Sequence, residues 1–202
     1  MMQNKKIIVI AGNIASGKSS VCKRIKEKGF VVIDLDEVTH QIYGKGEKLY
    51  YKLIEEFGEE ILGENLEIDR KKLSKFVFNS KTMRKKLEEL THTDIILRVV
   101  NIIKKEKSDL IFLEVSMYVE AKSLILDNIE VDEAWVVVSD NDIRIKRIMK
   151  RDNVDFDMAV KKINSQYDYQ TLTSDFDEVI TNNSSLEKLV AEVDDLIDRK
   201  KL

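Results

Sequence analysis

The chain has 202 residues, with 34 Lys and Arg against 37 Asp and Glu, a formal net charge of −3, and one cysteine. That length suits a single domain with room for an insertion, and it buries roughly 70% of the unfolded surface without staples. The charge balance excludes the basic footprint of a general nucleic-acid binder, the lone Cys22 excludes an internal disulfide or a multi-cysteine metal site, and the apolar runs are too short for a membrane-spanning helix.

A single thiol fits a reducing compartment, so a cytoplasmic protein is expected. Proline is absent, which leaves Gly, Asn, Asp and Ser to break elements. The first apolar run, 7–11, predicts a strand buried on both faces of a parallel sheet. It leads into Gly12-Asn13-Ile14-Ala15-Ser16-Gly17-Lys18-Ser19, a full G-x-x-x-x-G-K-[ST] match. A helix is predicted over 20–28, closed by Gly29, and a second strand over 30–33. The long stretch from 35 to 109 exceeds one crossover and reads as helices at 47–57, 70–79 and 82–105, with a turn near 58–64. Strands follow at 110–113, 134–138 and 179–180. They are separated by a helix at 141–151 and followed by one at 186–197, whose apolar residues at 186, 189, 190, 193, 196 and 197 mark one buried face.

Strands alternating with helices predict an α/β fold with a five-stranded parallel sheet flanked by helices. The glycine motif, between a strand and a helix, makes it the phosphate-loop (P-loop) NTPase and kinase fold. Its glycines let the backbone amides converge on a polyphosphate, helped by the helix dipole. The expected nucleotide site is Gly12, Asn13, Ile14, Ala15, Ser16, Gly17, Lys18, Ser19 and Ser20. Lys18 would reach the β- and γ-phosphates of ATP, and Ser19 would ligate Mg²⁺.

Ligands of open parallel sheets bind beyond the carboxyl ends of the strands. Polar groups gather there: Asp34 and Asp36, Glu114 and Ser116, Ser139 and Asp140, and Thr181, Asn182 and Asn183. Two acids at the second exit suit phosphoryl transfer. Asp36 is the expected acceptor for the attacking hydroxyl and Asp34 the Mg²⁺ acid; the two share one side if the strand continues, so their roles could be shared or exchanged. Arg144, Arg147 and Arg151 fall on one helix face, either a lid that neutralises phosphate or a solvated basic face. His40 and His92 form no metal pair by spacing.

These segments resemble, in order and over nearly the whole chain, the bacterial dephospho-coenzyme A kinases. The phosphate loop is followed by Val32-Ile33-Asp34-Leu35-Asp36, and Ile68-Asp69-Arg70-Lys71-Lys72-Leu73 is similar to a substrate-side helix. Leu90-Thr91-His92-Thr93 stands for a leucine-histidine-proline segment, and Ser116-Met117-Tyr118-Val119-Glu120 for a proline-led one. Lys146-Arg147 through Arg151-Asp152 resembles the lid, Gln166 a glutamine after it, and Asp177 to Asn182 the last strand with its asparagine.

The resemblance implies transfer of the ATP γ-phosphate to the ribose 3′-hydroxyl of dephospho-coenzyme A, with Mg²⁺. It implies a nucleotide-binding core at 1–57 and 108–202, a helical coenzyme-A-binding insertion at 58–107 and a helical lid at about 141–165. Catalytic roles fall to Lys18, Asp36, Arg147 and Arg151. Arg147 and Asn182 join the nucleotide site, and Asp36, His40, Arg70, Leu73, His92, Tyr118 and Glu120 join the substrate site. Small molecules are the expected partners of a monomer or weak homo-oligomer, with neither nucleic acid nor membrane. Thr93 and Ser116 stand where the family has prolines, Asn13 where it has a glycine, and His40 where an arginine is common. A nucleoside monophosphate kinase would share the loop and lid, though not the 68–92 segment. A guanine-nucleotide switch would carry N-K-x-D, which this sequence lacks.

Overall fold

A computed structural model describes residues 5–78 and 80–200. In chain order the elements are β1 (Lys6–Gly12), α1 (Lys18–Glu27), β2 (Val31–Asp34), α2 (Leu35–Ile42), α3 (Lys48–Phe57), α4 (Arg70–Phe78) and α5 (Lys81–Lys105). They continue as β3 (Leu110–Val115), α6 (Tyr118–Leu126), β4 (Glu133–Val138), α7 (Asn141–Asp152), α8 (Phe156–Asn164), β5 (Glu178–Thr181) and α9 (Leu186–Lys200). Among the described residues, no helix is long and apolar enough to cross a membrane.

Two compact units emerge: the chain up to Asp34 with Glu106 onward, and Leu35–Lys105. The first holds a fully parallel sheet in the order β2-β3-β1-β4-β5. Its inner strands are continuous apolar runs because both faces are covered. On one face Ile8, Ile10, Phe112, Trp135 and Val137 pack with Val21, Cys22 and Ile25 of α1 and with Leu189, Val193, Leu196 and Ile197 of α9. The edge strands β2 and β5 have four residues each. The chain leaves β1 toward one edge and later returns to β4 on its other side, so β1 ends at the point where ligands of such sheets bind.

The second unit is helical. Asp69 starts α4, its Oδ1 accepting from the Lys71 and Lys72 amides at 2.8 and 3.1 Å. The Tyr50 hydroxyl donates to the Leu66 carbonyl at 2.6 Å, and Lys52 pairs with Asp94 at 2.8 Å. The Phe57 and Phe76 rings meet edge to face with centroids 6.1 Å apart.

Three sequence expectations change. Strand β2 stops at Asp34 and α2 begins at once, so strand alternation does not relate Asp34 to Asp36. The unit expected to begin at residue 58 begins at Leu35, because α2 and α3 pack on α5. Helix α6 was not anticipated: its apolar Tyr118, Val119, Leu124 and Ile125 carry no cap signal, and Met117 makes no side-chain cap bond. The expected end of α4, Asn79, lies outside the described residues.

One charge cluster ties β1, β4 and α9 together. Glu133 accepts from Lys200 Nζ at 2.8 Å, Trp135 Nε1 at 2.9 Å and Lys6 Nζ at 2.9 Å. Partial burial pushes its carboxyl up, but Lys200, Trp135 and Lys6 outweigh that and hold it at about 2. A depressed carboxylate stabilises the fold above its unfolded pKa of about 4.3 and loses that contribution as pH falls toward 2. Glu133→Gln is therefore expected to lower stability at pH 7 by about 1–2 kcal/mol. Urea titrations at stepped pH should show the difference from the unsubstituted protein shrinking between about pH 4.3 and pH 2.

Candidate nucleotide site

The loop between β1 and α1 is held from behind. A Cβ on Gly12 would lie 2.7 Å from the Val137 carbonyl oxygen, and one on Gly17 would run into the Asn182 amide. Gly17 also has φ +103°, a conformation that L side chains rarely adopt. Both motif glycines are thus required by close approach. Asn182 Nδ2 donates to the Ser16 carbonyl at 2.8 Å. Arg147 Nη1 donates to the Ala15 and Ser16 carbonyls at 3.1 and 3.3 Å, and its Nη2 to the Asn182 carbonyl at 3.1 Å.

Arg144, only 2% exposed, donates through Nε to the Ile14 carbonyl at 3.0 Å and through Nη1 to Asn141 Oδ1 at 2.9 Å. The Asn13 carbonyl accepts from Ser16 N, and that of Gly17 from Ser20 N and Val21 N. Five consecutive carbonyls, 13 to 17, are therefore engaged away from the cavity.

The amides are divided. Ile14 N donates to Gln166 Oε1 at 2.8 Å and Ser16 N to Asn13 O at 3.1 Å. Among the described residues no protein acceptor meets the amides of Gly17, Lys18 and Ser19, and α1 has neither a capping side chain nor an acid in its first turn. These three amides and the helix dipole suit an anion. Ser16, expected in the nucleotide site, is fully buried, with its amide on the Asn13 carbonyl and its own carbonyl held by Asn182 and Arg147, so it shapes the loop rather than lining the cavity.

A cavity of about 550 Å³ opens here, lined by Gly12 to Ala15, Gly17 to Ser20, Ser116, Arg147, Arg151, Gln166, Asn182, Ser184, Leu186 and Leu189. The two leucines add an apolar wall beside the charged loop. Burial lowers the pKa of both Arg144 and Arg147. Arg151, exposed, is paired with Asp152 at 2.7 Å. A freely solvated basic face is ruled out for Arg144 and Arg147, whose guanidinium groups turn into the loop.

Lys18 is 8% exposed, its Nζ donating to Glu114 Oε1 at 2.8 Å and to Ser116 Oγ at 3.0 Å. Ser19 Oγ lies 3.5 Å from the same carboxylate oxygen. Asp34 stands opposite Glu114 in the β2–β3 register, so two acids share the strand ends. Glu114 and Ser116 had been legible only as polar groups at a strand exit; the ion pair with Lys18 gives them a place in the site. Below them Cys22 is packing: burial pushes its thiol far up, and Glu114 adds to the effect.

In the helical unit, Asp36 lies in the first turn of α2 and His40 in its last, both exposed. A cleft of about 220 Å³ is lined by Thr39, Tyr43, Arg70, Leu73, Ser74, Val77 and Leu87. The Arg70 guanidinium sits 5.0 Å over the Tyr43 ring. His92 is exposed on α5 and is not part of that lining. Tyr118 corrects an expectation: it is 2% exposed, its ring packed near Phe176, and cannot face a substrate. Glu120, two residues on, is exposed.

Three comparisons with known proteins agree with this geometry. A family model described as dephospho-CoA kinase matches residues 6–188. A dephospho-CoA kinase of Carboxydothermus hydrogenoformans is 36% identical over 184 residues, covering 90% of this chain and 87% of its own length. One of Fusobacterium nucleatum is also 36% identical, covering 93% and 95%. The solved structure of a dephospho-CoA kinase from Campylobacter jejuni superposes with a TM-score of 0.64 at 26% identity, with 98% of each chain covered. The chain belongs to the dephospho-CoA kinase family.

Proposed function

We propose that the chain transfers the γ-phosphoryl group of ATP to the ribose 3′-hydroxyl of dephospho-coenzyme A. The observation that carries this reading is the loop whose carbonyls are all bonded rearward while the amides of Gly17, Lys18 and Ser19 stand beside a charged cavity. Those amides hold the polyphosphate, and Lys18 exchanges Glu114 for the phosphate oxygens. Arg151 approaches the transferring group from α7, and Arg147 fixes the loop while lending its charge. Catalysis of this kind rests on positioning and charge neutralisation rather than on a strong base.

Mg²⁺ fits the donors present, since Ser19, Glu114 and Asp34 offer one hydroxyl and two carboxylates, and Mg²⁺ ordinarily takes one or two carboxylates with substrate phosphates. When bound it neutralises charge on the phosphate oxygens. Asp36, exposed at the start of α2, accepts the hydrogen bond of the attacking hydroxyl. The cleft of the helical unit, basic at Arg70 and apolar at Leu73, Val77 and Leu87, receives part of the acceptor. A cytoplasmic reaction fits the single unpaired thiol.

Incubation with Mg-ATP and a panel of acceptors should consume dephospho-coenzyme A and leave nucleoside monophosphates untouched; the reverse pattern would overturn the acceptor assignment. Lys18→Ala should slow turnover about 10²–10³-fold, as loss of one preorganised charge-stabilising donor does. Glu114→Gln should raise the Mg²⁺ concentration needed for half-maximal rate about tenfold, as loss of a metal-orienting carboxylate does. An unchanged Mg²⁺ titration would leave Asp34 as the metal acid.

A further inference from the structure

Asn13 lines the nucleotide cavity, yet its side chain is engaged elsewhere. It is 5% exposed, and it bridges from the loop to the segment that follows α8. Its Nδ2 donates to the Tyr167 carbonyl at 2.6 Å, and its Oδ1 accepts from the Tyr169 amide at 3.1 Å. The orientation of the carboxamide is forced, because a backbone N–H demands the oxygen and a backbone carbonyl demands the nitrogen. Aspartate, serine or alanine at this position would leave one or both backbone groups unpaired.

The same segment reaches back to the loop. Gln166 Oε1 accepts from Ile14 N at 2.8 Å and lies 3.4 Å from Asn13 Nδ2. The Ile14 carbonyl is held by Arg144 of α7. Both backbone groups of Ile14 and both polar atoms of the Asn13 side chain are thus satisfied by residues of 144–169. The segment is in turn fastened to the core: Tyr169 is 1% exposed, its ring lies near Phe176 with centroids 5.9 Å apart, and its hydroxyl accepts from the Val119 amide.

We propose that Asn13 is a positioning residue which, with Gln166, latches the first turn of the phosphate loop to the 166–169 segment. The loop takes its nucleotide-ready shape only when that segment is seated, so nucleotide occupancy and the order of the chain after α8 are linked. Linkage works in both directions: bound nucleotide must protect the segment as much as the seated segment favours nucleotide. The inference rests on the nucleotide reading of the loop but not on the identity of the acceptor.

The test uses ADP as the probe, with calorimetric affinity and amide exchange at 166–169 as readouts. In the unsubstituted protein, ADP should slow exchange across this segment; absence of any ADP binding would sink the nucleotide reading itself. Asn13→Ala should weaken ADP about five- to tenfold, the scale of one lost hydrogen bond, and ADP should no longer slow exchange there. Gln166→Met removes the other half of the latch and should do the same, which keeps the proposal open to test if Asn13→Ala does not fold. The double substitution should cost less than the two single effects combined, because they break one device. Unchanged ADP affinity in both variants would overturn the latch. So would weakened affinity with the ADP-dependent protection intact, for then Asn13 would merely support the loop.

Discussion

A peptide loop has as many carbonyls as amides, and an anion is repelled by the first as strongly as it is attracted by the second. Everything at this site depends on sending the carbonyls of residues 13–17 elsewhere. Two are engaged by backbone amides of the loop and of α1, and three by Arg144, Arg147 and Asn182. With those dipoles spent, the amides at the start of α1 face the cavity without competition, and the buried Arg144 and half-buried Arg147 guanidinium groups on the loop carbonyls reinforce their sign. The fit is tight enough that neither motif glycine can carry a side chain.

The ion pair of Lys18 and Glu114 answers a second electrostatic demand. A lysine poised for phosphate must sit among low-dielectric walls, where an isolated ammonium is costly. Glu114, 6% exposed, supplies the compensating charge. On the proposed function, an arriving polyphosphate would bring its own negative charge, so the lysine would change partner without being unpaired and leave the carboxylate beside Ser19 and Asp34, where a divalent cation would be wanted.

Much of this was legible beforehand. Buried parallel strands announce themselves as continuous β-branched runs, and the loop motif constrains backbone geometry so closely that its role follows from spacing. Less legible was whatever depends on where a strand stops. Asp34 and Asp36 looked like alternate residues of one strand until α2 began at Leu35. Arg144 and Arg147 sit at helical spacing among exposed lysines, and only tertiary contact with the loop separates an inward arginine from a solvated one. Tyr118 lay in a segment that resembled a substrate strip, but its ring was needed near Phe176. Asn13, one residue inside the motif, gave no sign of bonding to residues more than 150 positions away.

The layout of the sheet has a consequence for how the protein behaves in a crowded solution. Its longest strands are enclosed, while the outermost ones, Val31–Asp34 and Glu178–Thr181, are cut to four residues each. A foreign strand seeking to extend the ladder would find only a short row of free backbone groups at either side, too few to template a stable cross-chain register. Brevity at the margins thus guards an otherwise strongly β-prone core against adhesion to its own copies.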